Sequence, residues 1–293
     1  DTIDTTVLSL SATPTVSEGG AITYTASLTN LAGSDLTINL SNGQSLTILA
    51  GDNSATVDVV AADDLYSGSK SESVTISSAS GGNFENLTVD PTSATTTIID
   101  DSDTVFVRLV QDTSSFIENG GSGTYSVQLV DGGGNPVDVA LGETVTVALN
   151  YSGSAAATEY DGEQITVTIN GGTSEANFTV SSVDDAVSES NETIIVDMVS
   201  VVDSGSFESI TLDTGFSQVT TTIIDDDGLP QLSINDVTID EDAGVAVFTV
   251  TLSPVSASIV SIEYDTVDGT ATEGEDYTGS SGSLTFLPGE SVQ

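Results

Sequence analysis

Short runs rich in Val, Ile and Thr recur along the whole chain, each closed by glycine, asparagine or aspartate. β-Branched residues are stiff at χ1 and suit a pleated, half-buried surface, so these runs predict strands. In Ala21–Leu28 the apolar positions alternate as Ile22, Tyr24, Ala26 and Leu28, which turns one face inward. The first hundred residues predict seven such strands, A to G, at 5–10, 21–28, 35–40, 44–49, 54–60, 72–78 and 92–99. Asn42-Gly43 marks a tight turn between C and D, and Gly51-Asp52-Asn53 turns D into E. Seven short strands in that length predict an all-β, immunoglobulin-like sandwich.

The pattern then repeats. Residues 95–101 read TTTIIDD and residues 220–227 read TTTIIDDD. Each is a final strand that stops in aspartates, which cannot be buried unpaired, and a new strand follows at once. The phrases are therefore seams between modules. Val16-Ser-Glu18-Gly-Gly, Ile117-Glu118-Asn-Gly-Gly and Ile239-Asp-Glu241-Asp-Ala-Gly244 each precede a strand, the third expected at 245–252. Asn83-Phe84-Glu85 in one F–G loop matches Ser206-Phe207-Glu208 in the next. Three degenerate copies of one module follow, at 1–102, 103–228 and 229–293. The third holds only strands A to D, with D at 283–287, and is expected to belong to a longer parent.

Charge changes the picture most. The 293 residues carry 45 acids against two cations, Lys70 and Arg108, a net charge of −43. Such a surface repels nucleic acid and anionic membranes. Cysteine and histidine are absent, so disulfides, thiolate metal sites and Ser-His or Cys-His nucleophiles are excluded. No apolar run approaches the roughly 20 residues that span a bilayer. Carboxylate pairs alone do not suggest a glycosidase cleft. The chain is expected to be non-enzymatic and monomeric, its partners being neighbouring modules of the same chain.

In an up-and-down sandwich the A–B, C–D and E–F loops share one end with the exit of strand G. The acids fall in those places. Module one offers Glu18, Asp63, Asp64, Asp100, Asp101 and Asp103. Module two offers Glu118, Glu159, Asp161, Asp184, Asp185, Asp225, Asp226 and Asp227, and module three Glu241 and Asp276. Converging carboxylates repel unless neutralised. Ca²⁺ takes 6–8 oxygens, whereas Mg²⁺ keeps water and demands strict octahedral geometry, so several calcium ions are expected, mainly at the seams. Glu208 or Asp213, facing the preceding module, could complete the first seam. The phenylalanines beside them are expected to plug the core.

The third module resembles the Calx-β family. The stretch Asp240-Glu-Asp-Ala-Gly is followed by Val247-Phe-Thr-Val-Thr-Leu, Gly269-Thr-Ala-Thr-Glu-Gly-Glu-Asp276-Tyr277-Thr and Gly282-Ser-Leu-Thr-Phe-Leu-Pro-Gly-Glu. Module two resembles a divergent relative, with Glu159-Tyr160-Asp161 where Asp-Tyr is expected. Module one is similar to the immunoglobulin-like extender repeats of large bacterial RTX adhesins, including the ice-binding kind of marine bacteria. These resemblances imply a calcium-stiffened stalk, exported by type I secretion and held at the bacterial cell surface. They also imply calcium ligands at the A–B glutamate, the C–D aspartate, the E–F acids and the exit aspartates. The alternative is an adhesive module for glycan, peptide or ice, for which Tyr160 and Tyr277 are the aromatic candidates. Ice binding would require a flat, regular threonine face, and the threonines here are scattered.

Overall fold

The computed structural model describes residues 3–293; residues 1 and 2, counted in module one, lie outside the described residues. Module one contains β1 (Thr5–Ala12), β2 (Thr15–Ser17), β3 (Ala21–Leu28), β4 (Leu36–Leu40), β5 (Ser45–Ile48) and β6 (Ser54–Val60). It continues with β7 (Lys70–Val74), β8 (Ile76–Gly81), β9 (Asn86–Val89) and β10 (Ala94–Ile99). One layer runs β6-β3-β1-β9. The other runs β2-β10-β7 and β5-β4-β8, with β7 and β8 the two halves of the predicted strand F, interrupted at Thr75. Ile22, Tyr24, Ala26 and Leu28 of β3 are buried, as their alternation requires, and meet Leu36, Ile38 and Leu40 of β4 in one core.

Two details carry the loops to the exit end. Pro14 has no N–H to extend the β1 ladder, so the chain crosses there to the other layer. The crossing strand β2 pairs in parallel with β10, Val16 opposite Ile98, and delivers Glu18 beside the end of β10. The F–G segments, read from sequence as loops, each contain a strand. Leu87 and Val89 give β9 an inward face, and it adds in parallel to β1.

Module two repeats this plan with β11 (Thr104–Gln111), β12 (Ser115–Ile117), β13 (Ser122–Val130), β14 (Thr144–Gly153) and β15 (Tyr160–Asp161). After these come β16 (Thr166–Asn170), β17 (Glu175–Ser182), β18 (Val187–Ser188), β19 (Glu192–Asp203), β20 (Ser209–Leu212) and β21 (Gln218–Ile224). Its layers are β15-β17-β13-β11-β20 and β12-β21-β19-β14-β16. Phe207 is buried in its core, and Leu65 and Tyr66 of module one pack against the same cluster.

Module three contains β22 (Gln231–Ile234), β23 (Val250–Ser253), β24 (Val255–Ser256), β25 (Val260–Asp265) and β26 (Ser281–Phe286). The strand expected from residue 245 begins at Val250. In modules one and two the matching strand is held by β6 or β17, whereas among the described residues no strand ladder reaches 245–248. Val245, Val247 and Phe248 are accordingly exposed, and the buried core is Val250, Leu252 and Phe286.

Candidate metal centres at the module seams

Each seam is built on a glutamate pinned by backbone. The N–H of Glu18 donates to the Ile99 carbonyl at 3.0 Å, and that of Glu118 donates to the Ile224 carbonyl at 2.9 Å. Both residues are buried, at 5% and 7% exposure, directly beside the exit aspartates. Glu18 Oε1 has the Lys70 ammonium 3.4 Å away, but its Oε2 is buried without a partner among the described residues. A buried carboxylate without a counter-charge is costly, so Glu118 demands a cation or a proton.

At the first seam, carboxylate oxygens of Glu18, Asp100 and Glu208 lie within 4.8 Å of one another. Glu18 with Asp63 and Asp101, and Asp101 with Asp103 and Glu208, form two further such groups. The three groups share members and make one cluster spanning two modules. Glu208 comes from module two, and its Oε2 accepts the N–H of Asp103 at 2.8 Å. Loss of water, then Asp103 and Asp101, push the Asp63 carboxyl up. Burial, with Glu18, Asp100 and Asp101, does the same to Glu208. Among the described residues, Glu18 Oε2, Asp100 Oδ1 and Glu208 Oε1 are buried without a hydrogen-bond partner. Asp213, the other candidate from module two, is withdrawn from the seam. It accepts Arg108 Nε at 2.7 Å, and that bond holds its carboxyl below the usual range.

At the second seam Glu118, Asp225 and Asp227 form one group, and Glu159, Glu189 and Glu192 another. A small recess lined by Glu118, Glu159, Glu189, Glu192 and Asp225 joins them. Burial, then Asp185 and Asp225, push Glu118 up to about 7. Burial and the bond to Glu159 push Glu192 up to about 8. Asp225 Oδ1 and Asp227 Oδ2 are likewise buried without a partner among the described residues. Glu189 and Glu192 were missing from the expected ligand set. Glu192 opens β19 and Glu189 lies in the three residues before it, and the signal was their spacing three apart just after the E–F acids.

The remaining predicted ligands play other parts. Asp64 and Asp185 each close a turn in the E–F loop, Oδ1 accepting the N–H of Tyr66 at 2.9 Å and of Val187 at 2.7 Å. Asp226 accepts the N–H of Asn119 at 3.2 Å. Asp184 lies close enough to Asp227 to raise its carboxyl but joins no group among the described residues. Asp161 is exposed because its neighbour Tyr160 takes the inward position on β15. Glu241 lies exposed in a short 3-10 turn, and Asp276 accepts the N–H of Thr272 at 2.8 Å; neither joins a group among the described residues. Tyr160 is buried against Tyr151, ring centroids 6.3 Å apart, and Tyr277 donates to Asp268 Oδ1 at 2.8 Å.

The E–F loop also joins the modules. Tyr66 stacks on Phe207 at 5.6 Å and donates through its hydroxyl to the Asp138 carbonyl at 2.9 Å. Ser67 Oγ donates to the Gly205 carbonyl at 2.9 Å. At the second seam the matching loop pairs in parallel with module three, Val187 opposite Val255.

The donors of both clusters are oxygens alone, and several are buried without a partner among the described residues. That set fits a hard divalent cation of high coordination number, which is calcium rather than zinc or copper. The first cluster would use Glu18, Asp63, Asp100, Asp101, Asp103 and Glu208. The second would use Glu118, Asp225 and Asp227, with Glu159, Glu189 and Glu192 alongside.

A Calx-beta domain model matches residues 100–227 and again 224–293, more than half of the chain. The chain belongs to the Calx-beta family. A LapA domain model matches residues 4–101, the part outside the Calx-beta matches. No curated protein matches the chain. Among solved structures, the crystal structure of the apo-form Calx CBD1 domain is 21% identical, covering 42% of this chain and 99% of that one at a TM-score of 0.31. Crystal structures of CBD12 from CALX1.2 and of the calcium binding domain CBD12 of CALX1.1 are 12% and 20% identical. They cover 73% and 64% of this chain and 99% and 73% of theirs, at TM-scores of 0.31 and 0.32.

Proposed function

We propose that this chain is a non-catalytic, calcium-rigidified spacer of a bacterial cell-surface adhesin, in which metal ions shared across seams hold successive sandwiches in line. One observation carries the reading: the first acidic cluster is completed by Glu208 of the following module. A cation bound there ties the E–F loop and exit strand of module one to the entry end of module two. Membership of a family of calcium-binding domains and the LapA match at residues 4–101 support a calcium-dependent adhesin module. The spacer role is favoured over a glycan-binding one because Tyr160, a candidate stacking aromatic, is inside the core. Its partners are then the neighbouring modules of the same chain, and it works as a monomer outside the cell.

Extracellular calcium modules typically bind at about 10⁻⁴–10⁻³ M. With free calcium tenfold above Kd, each site adds about 1.4 kcal/mol to the folded state. Several sites therefore act together. Calcium titration followed by thermal melting tests this. Chelation is expected to lower the melting temperature by about ten degrees or more, with Mg²⁺ restoring it poorly. A melt unchanged by chelator contradicts the proposal.

A further inference from the structure

One sheet edge is covered in module two and bare in module one. Tyr24 and Tyr125 are both buried, and they stand opposite Val57 of β6 and Phe178 of β17. The two strands can therefore be laid on one another residue by residue. The match holds at their ends, where the N–H of Ala61 donates to the Gly20 carbonyl at 2.8 Å and that of Ser182 to the Gly121 carbonyl at 3.0 Å. Val60 thus corresponds to Ser181. In module two the far side of β17 is taken by β15, with Asp161 opposite Ser181 and Tyr160 opposite Ser182. The N–H of Val183 donates to the Glu159 carbonyl at 2.9 Å and extends that cover. In module one β6 ends its layer, and among the described residues no strand pairs with its far side.

Loop length explains the difference. β15 is made within residues 154–165, between β14 and β16, whereas β4 and β5 are joined by the tight turn 41–44, which supplies no strand. In an antiparallel ladder, alternate residues bond to the partner strand. Ala61 bonds towards β3, so the backbone groups of Asp58 and Val60 face away from it, and those of Ala62 follow in the same phase. Natural edges are guarded by lysine, proline or a bulge. Residues 54–62 contain no lysine, arginine or proline, and the register of β6 with β3 runs without a shift. Val60 is 71% exposed. The charge along this edge is acidic: Asp58 is exposed, as are Asp52 and Asp63 beyond its two ends. The two cations of the chain are engaged elsewhere, Lys70 with Glu18 and Asp64, and Arg108 with Asp213.

We infer that the free edge of β6 is a docking site for an extended, basic segment of another protein, which adds to the sheet of module one as β15 adds to that of module two. Main-chain bonds to Asp58, Val60 and Ala62 supply the ladder. The segment's residues on the outer face then pair a lysine or arginine with Asp58 and an apolar side chain with Val60. An acidic segment is repelled by the same charges, and a second copy of this chain sets a net charge of −43 against its like. The edge adds a binding surface to the spacer and does not draw on the metal sites.

The test uses the full chain and a blocked synthetic peptide in which lysine alternates with threonine and valine. Binding is read by fluorescence anisotropy, and the contact is mapped by amide hydrogen exchange. The peptide is expected to bind, to slow exchange in 58–62 and to leave 181–183 unchanged. Peptides with glutamate in place of lysine, or with a central proline, are expected not to bind. Val60→Pro removes one outward N–H and spares the β3 ladder, so it weakens binding about tenfold or more at an unchanged melting temperature. Val60→Lys guards the edge with charge and weakens binding too; it decides the matter should Val60→Pro not fold. Absence of binding overturns the inference. Equal binding by the parent and both variants, or slowed exchange outside 58–62 alone, reduces the attraction to charge and also overturns it. A parent dimer in sedimentation that Val60→Pro abolishes gives the edge to a second copy and overturns it as well.

Discussion

Glu18 and Glu118 are the residues on which each seam turns. A backbone hydrogen bond to the exit strand holds each of them in the interior, among acids for which Lys70, paired with Glu18 and Asp64, is the one cationic side chain at the first seam among the described residues. The consequence is a pH dependence of unusual sign. Glu118 and Glu192 move from an ordinary 4.5 to about 7 and about 8 in the folded chain. The folded state thus holds protons that the unfolded state has released, and stability falls as pH rises. Without metal, the contribution of these two groups is fully present below about pH 4.5 and is lost progressively towards pH 8. The melting temperature in chelator is expected to drop between pH 5 and pH 8. Glu192→Gln flattens that drop, and saturating calcium, which replaces the proton, removes it. A chelated melt independent of pH over this range would contradict the burial of these groups. Sequence alone singled out Glu18, Glu118 and the exit aspartates as candidates because each copy repeats them beside the same strand, and the fold gathers Glu18 with Asp100 and Glu118 with Asp225 and Asp227. It did not single out Glu189 and Glu192 as candidates, since acids just before and at the first residue of β19 look like solvated edge residues until the fold brings them beside Glu159.

The E–F loop is the element that converts this chemistry into a joint. In both modules an aspartate closes the turn, and the residue two places on reaches the next module: Tyr66 after Asp64, and Val187 after Asp185. Two substitutions separate joint from core. Phe207→Ala removes a buried ring of module two as well as the stack, and is expected to cost about 3–5 kcal/mol of module-two stability. Tyr66→Ala removes only the partly exposed partner, leaving both melts nearly unchanged while hydrogen exchange in 63–68 and 205–208 accelerates. Equal stability losses in the two variants would mean that the loop belongs to the core rather than to a joint. Most strands were legible from alternation, as in β3 and β6, whose bounds agree with the pattern to the residue. The four-residue strands β9 and β20 were not, because so short a run has no period of its own and is fixed by the edge it joins. Residues 245–248 went the other way: the pattern is that of a strand, but pairing, not pattern, forms one.

For the whole molecule, a charge of −43 is tolerable only if the acids are dispersed or neutralised. Two sandwiches with separate cores meet through a stack, a few hydrogen bonds and a carboxylate cluster. Protein contacts alone are few, so under the proposed function the stiffness of the first seam falls to the cation. The most direct measurement is the distance between spin labels in modules one and two, away from the seam, in calcium and in chelator. A calcium-locked joint gives a single narrow distribution with calcium and a broad one without it, restored on readdition of calcium but not by the same concentration of magnesium. A distribution equally broad in both conditions would make the seam a plain linker. One equally narrow in both would give the stiffness to the Tyr66–Phe207 contact instead, and either result contradicts a calcium-locked joint.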